Sequence, residues 1–384
     1  MTFKNFIKKV HLWLGLSSGL IVIILGITGC LYVFEEELRP IVHDYYYVDQ
    51  VKNKKLPVSQ LIQIATEANK INPKQTLSGC RILNDDKRTA IIWFFEELDK
   101  DAIWYWNRYQ NTYVYIDPYT GSVKKLENYN SEFFVFVRML HQTLCLRSEI
   151  GDPIVGTATI IFIIPLITGL ILWWPKNKQA AKQRFWFRWK NTTQWKRKNY
   201  DLHNILGYYM MFFALIIALT GLVWAFECYD KGLQWLFNGG KTFEKEKIVS
   251  DTTQYTQNTA TDKIYAATLK ANPNAKSYYL FIPKAEDSLA TFQTFTRYKN
   301  RFDDVSMQFD RYTGRNLKTV TYNDKNNGEK LRFINYDLHV GSILGFPGKV
   351  LAFFASLVSA SLPITGFLIW WGRNNKKKKS VAKF

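Results

Sequence analysis

The chain has 384 residues, with 51 Lys and Arg against 32 Asp and Glu, a formal net charge of +19, and 16% aromatic residues that include 13 Trp. Its mean hydropathy of -0.18 averages very polar segments with four apolar runs, residues 12–34, 154–174, 205–226 and 350–371. Each run has about 20 residues, enough to span a hydrocarbon core of roughly 30 Å as a helix, and none contains Asp, Glu, Lys or Arg, which excludes a soluble helix with its charged face.

In chain order, the first ten residues hold Lys4, Lys8 and Lys9 and no acid. Basic residues before an apolar run also describe a secretory signal, and Ile27-Thr28-Gly29-Cys30 has the form of a lipoprotein cleavage box. The run continues through residues 31–34, however, and its Thr-Gly recurs in the other three runs; we read it as a retained span. Residues 175–200 carry nine Lys and Arg, residues 372–384 carry six, and neither segment has an acid. Basic flanks stay cytoplasmic, so both termini and the middle loop are expected inside, with two long loops outside. Positive charge so placed meets anionic lipid rather than nucleic acid.

The expected architecture is α-helical and integral to the membrane, with four transmembrane helices arranged as two tandem helix–domain–helix repeats. Residues 1–34 supply the N-terminal segment and first span, 35–130 an outer α+β domain, and 131–174 a histidine-bearing segment and second span. Residues 175–202 form the basic loop, 203–227 the third span, 228–332 a second outer α+β domain, 333–371 a histidine-bearing segment and fourth span, and 372–384 the tail. Matched motifs carry the repeat. His11 precedes Thr28-Gly29 by the spacing at which His203 precedes Thr220-Gly221; residues 117–121 (DPYTG) return at 310–314 (DRYTG); Leu140-His141 returns as Leu338-His339; Thr168-Gly169 with Trp173-Trp174 returns as Thr365-Gly366 with Trp370-Trp371. In the first loop the spacing predicts a helix over 58–69 and strands over 90–95, 103–107 and 113–116. The second loop gives a helix over 264–270 and strands over 277–282, 291–297 and 305–309.

Four of the five His occupy equivalent places in the repeat. His11 and His203 open spans one and three at the inner end; His141 and His339 precede spans two and four at the outer end, before breaks expected at 151–153 and 345–347. Ionisable residues at membrane depth point to function. A twofold axis along the membrane normal would bring His11 opposite His203 and His141 opposite His339, the arrangement of axial ligands to a six-coordinate haem iron. Gly15, Gly19, Gly207, Gly341 and Gly345 are the small residues expected beside the flat ring. No CxxCH is present, so such haem would be non-covalent, of the b type. The four cysteines, Cys30, Cys80, Cys145 and Cys228, match no zinc or redox spacing; a Cys80–Cys145 disulfide is permitted but not demanded.

These features resemble the PepSY-associated transmembrane-helix family. The resemblance rests on the His-x-x-x-Gly opening at His11 and Gly15, Leu-His at 140–141 and 338–339, the Thr-Gly-x-x-x-Trp-Trp ends, and Asp-x-Tyr-Thr-Gly closing each loop domain. It implies PepSY-like outer domains, two haem b groups held by His11, His203, His141 and His339, and electron transfer across the cytoplasmic membrane to an extracytoplasmic ferric chelate in iron acquisition. Some members carry a fused flavin–nicotinamide reductase module. None is seen up to Phe384, so the donor, a cytoplasmic reductase or a quinol, stays open. Arg138 and Arg147 flank His141 and suit haem propionates, since guanidinium binds carboxylate bidentately. His43 has no His counterpart and is read as a surface residue. Glu35 and Glu227 are read as interface anchors rather than proton relays, and the Trp pairs as an aromatic belt. Two other classes stay in view: an iron or chelate transporter component, and a sensor or protease regulator acting through the outer domains.

Overall fold

The computed structural model describes residues 2–175, 177–244, 246–254, 260–298 and 301–381. In chain order it contains α1 (Phe3–Ser17), α2 (Gly19–Tyr32), α3 (Glu35–Val42), α4 (Val58–Ala68), β1 (Thr76–Leu83), β2 (Ala90–Glu97), α5 (Tyr105–Arg108), β3 (Tyr109–Ile116) and β4 (Val123–Asn128). Then come α6 (Phe133–Thr143), α7 (Ser148–Trp173), α8 (Lys178–Arg184), α9 (Trp195–Asp201), α10 (Gly207–Ala225), α11 (Glu227–Phe237) and α12 (Thr261–Ala271). The chain continues with β5 (Ser277–Phe281), β6 (Phe292–Arg297), β7 (Val305–Phe309), β8 (Asn316–Val320), α13 (Asn327–His339) and α14 (Gly345–Val381). Two compact units result, one from the residues up to Glu35, Val137–Gly232 and Asn335 onward, the other from Glu36–Phe136 and Leu233–Ile334.

The first unit is the helical one. Among the described residues three helices are long and apolar enough to cross a bilayer: α7, the continuous stretch Trp195–Ala225, and Ser342–Asn374. The pair α1 and α2 qualifies as a fourth when taken as one span bent by 61°. The bend falls at Ser17-Ser18-Gly19. Ser18 is buried and donates its hydroxyl back to the Leu14 carbonyl at 2.9 Å, a bond that pulls helices out of line. The stretch from Trp195 is interrupted by a π-helical turn at Leu202–Leu206, which carries His203; such turns cluster at functional sites. α2 packs on α14, α10 on both α7 and α14, and α1 on α7. Small residues allow this closeness: a Cβ at Gly26 would stand 2.7 Å from both Ala360 Cβ and the Ser356 carbonyl. Cys30 lies inside α2, its Sγ 3.4 Å from the Phe353 carbonyl.

The break before α7 is not at 151–153. α6 ends at Thr143, and the chain turns at Leu144 and Cys145, with φ of 55° and 61°, a left-handed pair that is uncommon for residues with a Cβ. Gly151 and Pro153 lie within α7, where Gly151 instead lets the Thr143 backbone approach. The second break spans Gly341 to Gly345, at φ of 77° and 68°, and so overlaps the expected one.

In the second unit one antiparallel sheet runs in the order β4-β3-β2-β1-β5-β6-β7-β8. The two loop segments expected as separate domains are joined edge to edge, β1 pairing with β5 through Cys80↔Leu280 and Ile82↔Tyr278. Joining removes two exposed sheet edges and creates a single core: Leu61 and Ala65 of α4 and Ile264 of α12 bury against Ile92, Val114, Leu280, Phe292 and Phe309. The strand expected over 103–107 is absent; α5 takes up its last three residues, and β3 begins at Tyr109. Strands β1, β4 and β8 were not legible from alternation. The Asp-x-Tyr-Thr-Gly segments do not close the domains but turn β3 into β4 and β7 into β8. Asp117 accepts from the Tyr119 N–H (2.8 Å) and Asp310 from the Thr313 N–H (2.8 Å), while Gly121 and Gly314 supply the positive φ. All four cysteines are free. Cys80 is buried in the sheet core and Cys145 in the helical unit, and the permitted disulfide between them is not formed.

Candidate cofactor sites at paired histidines

Each of the four matched histidines bonds a threonine of a different helix. The His11 Nδ1 lies 3.2 Å from Thr168 Oγ1, His141 Nδ1 2.9 Å from Thr28 Oγ1, His203 Nδ1 2.9 Å from Thr365 Oγ1, and His339 Nδ1 3.0 Å from Thr220 Oγ1. The threonine hydroxyls are already committed as donors. Thr168 gives its proton to the Ile164 carbonyl, Thr28 to Ile24, Thr365 to Ser361 and Thr220 to Ile216. Each oxygen therefore accepts from the imidazole, and the proton sits on Nδ1. Among the described residues nothing bonds any of the four Nε2 atoms.

The glycine that follows each threonine makes this approach feasible. A Cβ at Gly169 would meet His11 Cε1 at 3.2 Å, at Gly29 His141 Cε1 at 3.5 Å, at Gly221 His339 Cε1 at 3.3 Å, and at Gly366 His203 Cε1 at 3.3 Å. A side chain there would press on the ring it is meant to seat. Thr-Gly is thus a two-residue cradle, one residue for the N–H and one for the ring edge.

The histidines are brought together in two pairs. The His11 and His203 ring centroids are 6.2 Å apart with planes at 87°, and those of His141 and His339 are 6.1 Å apart at 73°. Edge-on aromatic packing covers this range. A metal held between the two imidazoles would fit this separation too: two metal–nitrogen bonds of about 2 Å plus two ring radii give about 6 Å. What separates the two readings is the tautomer, since both Nδ1 protons in each pair are spent on the cradles and the free nitrogens are bare lone pairs. This second-sphere arrangement orients metal-bound imidazole. Among the described residues no group of three or more His, Cys, Asp or Glu gathers around a metal position, so a metal at either pair needs its remaining donors from a cofactor. A porphyrin supplies four, and the residues present fit haem. His203 and Thr220, which holds His339, are seventeen residues apart on one continuous helix, putting the two pairs about 25 Å apart.

Arg138, on α6 three residues before His141, and Arg147, at the start of α7, pair with no carboxylate among the described residues. The expected glycines are otherwise employed: Gly15 lies against Pro165, Gly19 against Pro363, Gly207 against Leu362 and Gly341 against the Gly348 backbone, while nothing approaches Gly345. His43 is not simply a surface residue. It stacks on Tyr45 (5.0 Å) and Tyr46 (6.0 Å) and lies 3.6 Å from the buried Glu132. Glu227 opens α11 and pairs with Lys231 at 2.6 Å, fully in solvent, and Glu35 opens α3. Trp174 and Trp371 are exposed, as a belt requires, whereas Trp173 is buried and stacked on Tyr208 at 3.7 Å. Trp224 packs edge-on to His339 at 5.2 Å. The threonines were missed as functional residues, although the recurrence of Thr-Gly in all four apolar runs was the signal.

Residues 8–373 match the PepSY-associated TM region, and the chain belongs to that family of membrane proteins. No curated protein matches it.

Proposed function

We propose that this PepSY-associated membrane protein is a haem b-containing oxidoreductase that passes electrons across the cytoplasmic membrane to a ferric chelate on the outer side, in iron acquisition. The observation that carries the reading is the pair of histidine pairs, each at about 6 Å with both Nδ1 protons committed to Thr-Gly cradles. His11 and His203 would hold one haem, His141 and His339 the other. Haem iron supplies one-electron exchange between its ferric and ferrous states. The protein's own contribution is to fix the imidazole tautomer, exclude water and set the two stations at opposite ends of the spans. A hydrocarbon layer of roughly 30 Å needs such intermediate stations.

In this reading α1–α2, α7, α9–α10 and α14 are four spans in two tandem repeats, with termini and basic loop inside and two PepSY-like domains outside, consistent with the confinement of net charge to segments 1–10, 175–200 and 372–384. Arg138 and Arg147 are the residues for haem propionates. The donor inside is a cytoplasmic reductase or a quinol.

The deciding measurement is the absorption spectrum and pyridine haemochrome of protein purified from haem-replete cells. Two low-spin b haems per chain are expected, one lost or converted in each single His→Ala variant and both retained in His43→Ala. Well-folded protein without haem overturns the proposal. Reporter fusions after Lys190 and after Asn274 should fall on opposite sides of the membrane; the same side for both overturns the topology.

A further inference from the structure

The pentapeptide Asn-Tyr-Asp-Leu-His occurs twice, at 199–203 and 335–339. Each copy ends on one histidine of a different pair, His203 and His339. In both copies the Asn side chain is buried, at 4% and 3% exposure, and reaches across to a facing helix. Asn199 Nδ2 donates to the Thr365 carbonyl and Asn335 Nδ2 to the Thr220 carbonyl, each at 3.1 Å. A carbonyl only accepts, so the amide orientation is determined. Thr365 and Thr220 are also the threonines whose Oγ1 receives His203 and His339. Residues four apart share a helix face. Two side chains of one helix, a turn apart, therefore grip the backbone and the side chain of a single residue opposite.

The other two histidines have no such grip. Four residues before His11 stands Ile7 and four before His141 stands Val137, both buried and both without a donor. Each pair thus joins one imidazole whose helix makes two hydrogen bonds to the threonine opposite with one whose helix makes only the imidazole bond. Helix continuity does not explain the difference, because His339 ends α13 just before the Gly341–Gly345 break, much as His141 lies just before Leu144–Cys145.

Resting on the haem reading above, we propose that His203 and His339 are the anchoring ligands of the two sites, with Asn199 and Asn335 as positioning residues, and that His11 and His141 are the exchangeable ligands. Swinging His11 or His141 aside breaks one N–H···O contact. Displacing His203 or His339 works against an Asn cross-link that keeps the threonine opposite the ring. Small exogenous ligands to the metal, such as carbon monoxide, enter on the His11 and His141 side of each site.

The test uses the full chain, purified with its haem. In His11→Ala and His141→Ala, haem is expected to stay at two per chain, one of them now high-spin and binding carbon monoxide when reduced. In His203→Ala and His339→Ala it is expected to fall to one per chain. Asn335→Leu, which keeps the branched outline and removes the donor, should speed haem loss from the His141/His339 site roughly tenfold or more and leave the His11/His203 site unchanged; that second site serves as the internal control for folding. Equal haem loss from both members of a pair, the reverse order, or an Asn335→Leu protein with the wild-type loss rate overturns the assignment. Wild-type protein with no haem overturns the functional reading itself and this assignment with it, whereas symmetric behaviour in haem-loaded protein removes only the assignment.

Discussion

Replacing Thr220 by valine isolates the work of one cradle. The variant keeps the branched shape in α10 but deletes the oxygen that accepts from His339 Nδ1 at 3.0 Å. A single side-chain hydrogen bond contributes about 0.5–1.5 kcal/mol net, and a buried donor left wholly unpaired costs about 1–3 kcal/mol. The two ranges meet near 1.4 kcal/mol, about tenfold in affinity, the low end of the range of about 10–100-fold for residues that orient metal ligands. On the proposed haem reading, the assay is transfer of haem from the detergent-solubilised protein to excess apomyoglobin, followed optically as two kinetic phases. Thr220→Val should accelerate one phase about tenfold and leave the other alone, and Thr220→Ser, which restores an oxygen, should return most of the difference. Wild-type kinetics in the valine variant, or equal acceleration of both phases, would refute the view that Thr-Gly seats individual ligands.

Gly26→Val drives a side chain into Ala360 and the Ser356 carbonyl; the α2–α14 contact should loosen at a cost of about 1–3 kcal/mol, read as a lower melting temperature in detergent. All four cysteines being free, reduction should change no electrophoretic mobility. Maleimide should label the exposed Cys228 first and Cys80 only on unfolding, its thiol being pushed up to about 12 by burial in the sheet core. Burial works against charge on Asp310, yet N–H groups of Asp251, Thr313 and Tyr312 and the Thr313 hydroxyl hold its carboxyl below the ordinary range. The stability this lends is complete above about pH 4 and is lost as pH falls through the folded value. Acid titration of the melting temperature should show that loss, and Asp310→Asn should flatten it.

Much of the candidate site is visible in linear order, because the features concerned are local. A run such as 350–371 has its length and lack of charge whatever it packs against, and the inside–outside reading rests on counts of Lys and Arg next to such runs. The places of His11, His141, His203 and His339 follow from a repeat that is legible without coordinates. The sheet is less legible. β1 carries Gly79 and Arg81 among its apolar residues and β4 is largely charged, so neither alternates cleanly. Residues 103–107 are rich in β-formers, yet the chain bends there ahead of β3. The first break was misplaced: Gly and Pro at 151–153 look like a turn, but the turn falls on Leu144 and Cys145, whose N–H groups cap the end of α6 by donating to the Leu140 and Met139 carbonyls, a left-handed ending that no Gly or Asn announces.

The sequence by itself determined which segments are apolar enough for a bilayer, which flanks are basic and which histidines correspond, since these depend on composition and spacing within a single segment. Only the tertiary structure decided what the histidines touch. His11 reaches Thr168 and His141 reaches Thr28 across 157 and 113 residues of chain, and no local pattern specifies a partner at that distance. It also decided that the two loop segments share one sheet, because β1 and β5 each offer an edge that many strands would fit and burial of a joint core selects one pairing. The tautomer of each imidazole belongs to the same category. It depends on a threonine hydroxyl already spent on its own helix, a fact that exists only once the helices are formed and packed.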